Sequence, residues 1–225
     1  MRMQWLTLTF MHWPYPADAV QRLLPPGLTV ETYDGHAWVG LVPFTMTVAF
    51  PRAPAVPWLS RFPETNVRTY ARGPRGETGV WFMSLDAARL PAVLAARGAW
   101  GLPYYWARMQ VQRRGNTVDY TSVRHRPHAP AAHLSRVEIG SPIAASDVTT
   151  FEHYLTARFA LWSHHLGRNW HARADHPPWP LHRARVAHLD DELVLATGLP
   201  APCGDPIVHF SEGVDVRVGR PRLCG

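Results

Sequence analysis

A carboxylate, an amide and a guanidinium recur at every second position in the segment Phe62-Pro63-Glu64-Thr65-Asn66-Val67-Arg68-Thr69-Tyr70. Alternate side chains of a strand share a face, so Glu64, Asn66 and Arg68 stand in one row, with Val67 and Thr69 turned away. A carboxylate beside a guanidinium is a charge-assisted, directional arrangement that can hold a small polar ligand. The same row also describes a solvated strand face carrying an ordinary ion pair.

A second row follows in Leu102-Pro103-Tyr104-Tyr105-Trp106-Ala107-Arg108. Alternation sets Tyr104, Trp106 and Arg108 on one face and Tyr105 and Ala107 on the other. Tyrosine brings apolar area together with a hydroxyl that needs a partner when buried. These residues suit the wall of a pocket, and they suit aromatic core packing equally well.

Other chemistry is less well supported. His164, His165, His171 and His176, with Asp175, are the residue types that ligate zinc or iron, but their spacing matches no established ligand pattern. With 13 histidines in the chain, some clustering is expected by chance. No metal or other cofactor is therefore expected. His176-Pro177-Pro178-Trp179-Pro180 reads as a rigid turn that packs Trp179 against the body. Cys203 has Asp205 and His209 near it in sequence, and a reactive thiol would need a neighbouring cation or helix start. No GxSxG elbow is present.

Composition narrows the classes further. All 23 basic residues are arginine. With no lysine, no side-chain Schiff base can form, and the phosphate loop that ends in Gly-Lys is excluded. A chain of 225 residues, 46% hydrophobic and 18% charged, has the makings of a folded core. The formal charge of +6 permits an anionic partner. However, the densest basic spots, Arg113-Arg114 and Arg124-His125-Arg126, are short, so no nucleic-acid partner is expected. No run of 18 apolar residues suggests a membrane span. The first fifteen residues lack the features of a signal peptide, so the cytoplasm is the expected location.

The elements that must position these residues are mostly strands. Strands are expected over Trp5 to Met11, Leu28 to Tyr33, Ala37 to Phe50, Asn66 to Ala71, Gly79 to Leu85, Tyr104 to Gln112, Thr117 to Arg124 and Leu134 to Ile139. Shorter ones are expected at Ala184 to Leu189, Leu193 to Thr197 and Val214 to Val218. Asp34-Gly35 supplies a hairpin turn, and Pro43 argues for an edge or a bulge. Helices are expected from Pro16 toward Leu24, from a cap near Asp86 to Gly98, and from Thr149 or Thr150 to Arg158. Phe159 to His164 fits either state. Pro51 to Pro63 reads as a proline-rich loop. The 22 prolines and 16 glycines fit many turns between short elements. No repeat or linker marks a boundary, so residues 1–225 are read as one domain.

Several stretches together resemble a known family. They are Leu8-Thr9-Phe10-Met11-His12-Trp13, Leu24-Pro25-Pro26-Gly27-Leu28, Gly40-Leu41-Val42-Pro43-Phe44, the Glu64 segment, Gly79-Val80-Trp81-Phe82, Leu85-Asp86, Leu102-Pro103-Tyr104-Tyr105 and His176-Pro177-Pro178-Trp179-Pro180-Leu181. In this combination the chain resembles the YqjF-like bacterial domains of unknown function. More remotely, the middle region is similar to acetoacetate decarboxylase. That resemblance implies an α+β, mostly-β fold: a strongly curved, cone-shaped, barrel-like mixed sheet with a few short packed helices and a central pocket. It sets Glu64 where that enzyme has an active-site glutamate, and Tyr104 and Tyr105 where it has its Schiff-base lysine and the next residue. Without the amine, that decarboxylation cannot proceed.

The expected function is therefore binding of a small polar or carboxylate-bearing metabolite by Asn66, Arg68, Tyr104, Tyr105 and Arg108 around Glu64. Acid/base chemistry with Glu64 as base is the alternative. It requires burial to raise the Glu64 pKa by more than Arg68 lowers it. A two-fold homodimer is the expected assembly on general frequency.

Overall fold

The computed structural model describes residues 1–49, 60–125 and 130–224. The elements in chain order are β1 (Arg2–Tyr15), α1 (Ala17–Gln21), β2 (Thr29–Val30), β3 (Thr32–Tyr33), β4 (His36–Ala49), β5 (Arg61–Arg72), β6 (Thr78–Ala87) and α2 (Leu90–Trp100). They continue with β7 (Tyr104–Arg114), β8 (Thr117–Arg124), β9 (Ala132–Pro142), α3 (Thr150–Thr156), β10 (Ala160–His165), β11 (Arg168–Asp175), β12 (Leu181–Asp191), β13 (Ile207–Val218) and β14 (Arg222–Cys224). The expectation of a mostly-β mixed sheet with few short helices holds.

One sheet carries the strands. Pairing runs β6-β7-β8-β9-β12-β13-β1-β4-β5, and β5 pairs with β6 again, so the path returns to its start. Such a return leaves these nine strands no free edge. Strand β10 adds to β6 in parallel, and β11 joins β10 to β13 and β14. The β6–β7 pair is also parallel, since α2 carries the chain back between them.

Local sequence explains the turns. Asp34 and Gly35 both hold positive φ (50° and 78°) between the paired residues Tyr33 and His36, as a two-residue hairpin requires. Pro43 lies in β4, between β1 and β5, and is not at an edge. It sits opposite a register shift between Leu6 and Met11 of β1, where Thr7 has φ 50°. The bulge half of the expectation holds, because an interrupted ladder tolerates a residue without an N–H.

Helix α3 starts at a capping box. The Thr149 hydroxyl accepts from the Glu152 N–H, and Glu152 accepts from the Thr149 N–H. Helix α2 differs from the expectation at both ends. Asp86 is a strand residue of β6, buried against Arg124; Arg89 precedes the helix, with Pro91 in its first turn, and Gly101 (φ 63°) ends it. Leu193 to Thr197 is not a strand. Leu195–Thr197 forms a 3-10 turn, with the Asp191 carboxylate accepting from the Val194 N–H. The ambiguous stretch after Phe159 is β10, and β11 and β14 are strands beyond those the sequence predicts. Of the expected proline-rich loop, residues 51–59 lie outside the described residues, and Arg61 to Pro63 already belong to β5.

The sheet is packed on both faces. Phe44, Phe62, Tyr70, Phe82, Leu85 and Trp179 belong to one apolar cluster. Trp13, Leu41, Val67, Ala71 and Trp162 belong to another. The inner residues of β5 are therefore buried on both sides, which removes the solvated-face reading of the Glu64 row. Trp179 packs as expected, 7% exposed, its Nε1 donating to the Thr156 carbonyl at 3.0 Å.

Candidate functional site

Strand β5 carries Glu64 between Phe44 of β4 and Ala87 of β6. Strand β7 starts at Tyr104, beside Leu85 of β6. These registers bring the two side chains together: the Tyr104 hydroxyl donates to Glu64 Oε2 at 2.8 Å. Both line a pocket of about 240 Å³ beneath α2. Its walls are otherwise apolar and include Trp5, Phe62, Phe82 and Trp100, with Ala92 and Ala96 on the helix side. The alanines keep that side of α2 shallow, which leaves room under the helix.

The junction between α2 and β7 is tightly fixed. A Cβ on Gly101 would come within 2.5 Å of His165 Cβ and 2.9 Å of the His164 carbonyl. The absent side chain lets β10 close on this turn, three residues before Tyr104.

Glu64 is 2% exposed. Burial raises its pKa to about 8, the Tyr104 hydrogen bond acts against the rise, and the Asp86 carboxylate adds to it. The competition between burial and Arg68 is thus won by burial, because Arg68 is not a neighbour of Glu64. Burial and the adjacent Glu64 push the Tyr104 hydroxyl well above the usual tyrosine range.

The other expected site residues are dispersed. Asn66 is buried, and its Oδ1 has no hydrogen-bond partner among the described residues. Arg68 is 5% exposed and lies farther along β5, where its guanidinium reaches the Leu155 carbonyl at 3.5 Å and rests over the Phe10 ring. Neither lines the pocket. Tyr105 faces the opposite side of β7 and stacks on Arg124, 3.9 Å from the guanidinium carbon to the ring centre. Arg108 is exposed on β7.

Two buried polar groups escaped the sequence reading. On the first, His12, Gly40 and Arg68 stand side by side on β1, β4 and β5. Without a Cβ at Gly40, His12 can lie across the strand, and its Nε2 pairs with the Tyr70 hydroxyl at 2.7 Å. That hydroxyl donates to the Leu155 carbonyl, so His12 Nε2 carries the proton and donates. Burial, then the nearby Arg68, holds the His12 pKa well below its usual value.

The second joins Ser135, His133 and Asp191. His133 Nε2 meets Ser135 Oγ at 2.9 Å, and its Nδ1 meets Asp191 Oδ1 at 2.9 Å. This is the connectivity of a nucleophile, a base and an orienting acid. Yet Ser135 is 0% exposed, so its hydroxyl offers a substrate no open approach in this fold. Only the β9–β12 register brings Asp191 opposite His133.

Three of the four clustered histidines take separate partners. His164 pairs with Asn169, His171 with the Thr78 carbonyl, and His176 with the Pro177 and Arg158 carbonyls. Among the described residues, no three His, Cys, Asp or Glu side chains group as metal ligands would. Cys203 is exposed, while His209, its partner in the sequence reading, pairs with Glu152 at 3.1 Å.

A curved mixed sheet that joins its ends, with a buried carboxyl under a short helix, defines an acetoacetate-decarboxylase-like architecture without the amine. The chain belongs to DUF2071, a family of uncharacterized conserved proteins whose pattern matches residues 2–215. The uncharacterized protein YqjF of Bacillus subtilis (strain 168) is 33% identical over 217 residues, spanning 96% of this chain and 89% of the relative. Among solved structures, acetoacetate decarboxylase from Legionella pneumophila superposes with a TM-score of 0.71 at 12% identity, covering 100% of this chain and 88% of that one. The enduracididine biosynthesis enzyme MppR, solved with pyruvate, gives a TM-score of 0.69 at 13% identity, with 99% and 89% covered. At such identities the likeness shows the fold alone. Among the described residues, no helix is long and apolar enough to cross a membrane.

Proposed function

We propose that this protein binds a small molecule in the pocket beneath α2, with Glu64 as its polar anchor. The observation that carries the reading is a carboxyl almost wholly buried among apolar walls, with Tyr104 bonded to one of its oxygens. A buried ionisable group in an otherwise apolar cavity is costly for the fold. Such groups concentrate at functional sites. The pocket is smaller than the ~300–1,000 Å³ usual for drug-sized ligands, which points to a small metabolite. In this reading the chain acts as one domain in the cytoplasm, its sheet forms a cone-shaped, barrel-like shell, and two copies pair about a two-fold axis. A light-scattering mass tests the pairing.

A second reading is favoured by the Glu64 pKa of about 8. A carboxyl that titrates near neutrality can take up and release a proton at working pH, as acid/base catalysis requires. No step in that reading uses a lysine amine, since the chain has no lysine. A metabolite screen by thermal shift on the parent and on Glu64→Gln separates the two. Binding that survives in the variant, with turnover in neither protein, makes it a binder. Turnover by the parent that Glu64→Gln abolishes while binding remains makes it an enzyme. If no metabolite shifts the melting of either protein, the pocket reading fails.

A further inference from the structure

We infer that the ligand of the Glu64 pocket presents an uncharged oxygen acceptor, the carbonyl of a ketone, aldehyde or ester, on a small apolar body. This rests on the pocket reading above and narrows it to a ligand class. Three features of the lining carry it.

The first is that no cation among the described residues acts on Glu64. The chain has no lysine, and no arginine or histidine is among the described lining residues. The charged and titratable groups around Glu64 are few. Tyr104 faces it from β7, and Asp86 acts on it from β6 while paired to Arg124. Met1 lines the pocket on the β1 side, but its ammonium donates to the Val218 carbonyl at 2.9 Å and is not among the charges that act on Glu64. Arg61 and Arg97 are exposed to solvent. A carboxylate at the Glu64 end of this pocket would lose its water and meet no cation among the described residues there, with two carboxyl groups close by.

The second is the direction of the hydrogen bonds. The Tyr104 proton is committed to Glu64 Oε2. The donor left for a ligand is the Glu64 acid O–H, and it calls for an acceptor. Burial keeps that proton in place at neutral pH, since the group titrates at about 8.

The third is the number of polar partners. Glu64 and Tyr104 are the ionisable side chains among the described lining residues, and the walls are otherwise apolar. An ammonium brings three N–H donors and would leave most of them unmet in apolar surroundings. One carbonyl oxygen is satisfied by one acid.

The test uses three probes of similar length, 2-heptanone, hexanoate and hexylamine, with binding read from Trp5 and Trp100 fluorescence. Near pH 7, 2-heptanone should bind at least about tenfold more tightly than hexanoate, and its affinity should fall about tenfold per pH unit above the Glu64 titration. Glu64→Gln supplies an amide N–H that does not titrate, so it should hold 2-heptanone with no such fall up to about pH 9.5. Hexanoate binding as tightly as the ketone would overturn the inference and leave the pocket reading standing. So would hexylamine binding more tightly than the ketone, or a ketone affinity that ignores pH in the parent. If none of the three perturbs either tryptophan, the pocket reading itself fails and the inference with it.

Discussion

Glu64 and Tyr104 lie 40 residues apart in sequence and 2.8 Å apart in the fold, joined by a hydrogen bond in which the phenol donates to the carboxyl. Their pairing decides how the pocket is charged. A phenol held far above its usual range does not ionise, and a carboxyl held at about 8 is mostly protonated at neutrality. The centre is therefore a neutral pair of weak acids.

That neutrality has a consequence for stability. An unfolded glutamate releases its proton near 4.5, whereas Glu64 keeps its proton in the fold to about 8. Between these values the folded chain binds more protons than the unfolded chain. Stability should therefore fall as pH rises from about 4.5 to about 8, and level off above. Glu64→Gln should remove this slope and be more stable than the parent at pH 8 by on the order of 4 kcal/mol. Urea unfolding at several pH values reads it directly. Equal slopes in parent and variant would sink the claim.

Tyr104→Phe removes the hydrogen bond that opposes the upward shift. The Glu64 titration should move higher, and the protein should lose about 1 kcal/mol. Carboxyl NMR with labelled glutamate would follow the midpoint. A downward move would mean that Tyr104 does not hold Glu64 as described.

Two buried arginines should respond in opposite ways. Arg124 pairs with Asp86 at 2.9 Å, and both side chains are at most 3% exposed. Arg124→Met strands a buried carboxylate and should cost about 3–5 kcal/mol. Arg68 has no carboxylate within ion-pair distance among the described residues, and burial, with the nearby Arg158, lowers its pKa while Tyr70 opposes the fall. Arg68→Met removes the guanidinium from over Phe10 but strands no buried carboxylate, so it should cost less than about 1 kcal/mol, while leaving 2-heptanone binding within about twofold of the parent. Chemical denaturation ranks the two variants, and the reverse order would refute the assignment.

Gly101→Ala and Gly76→Ala compare two positive-φ glycines, at 63° and 86°. A Cβ at Gly76 meets open space, while one at Gly101 collides with His165. Gly76→Ala should cost about 1 kcal/mol of backbone strain, and Gly101→Ala about 2 kcal/mol or more beyond that. Only the latter should also weaken pocket binding, because it displaces the end of α2 and the start of β7. Melting temperatures and probe titrations on both variants test this.

What the chain declares locally, it declares well. The Asp34-Gly35 turn, the capping box at Thr149 and Glu152, and the alternation along β5 all depend on neighbours within a few residues. For that reason they can be read from the string alone. The absence of lysine is likewise a property of the sequence and excludes a lysine Schiff base in any fold. Alternation puts the Glu64 row on one face of β5, but it cannot say what that face meets. Only the pairing of β5 with both β4 and β6, under the layers packed on each side, buries it. The pairing of Glu64 with Tyr104 needs the parallel β6–β7 register, which a helical crossover sets and no local pattern announces. Arg68 shares Glu64's face and was expected to share its site, yet four residues of extended strand span about 13 Å, beyond the reach of an ion pair. The Ser135–His133–Asp191 chain has the same character, since a strand register unites residues that sequence spacing leaves unconnected. Burial and long-range register are sums over the whole fold, and the Glu64 titration, with the chemistry it allows, follows from those sums.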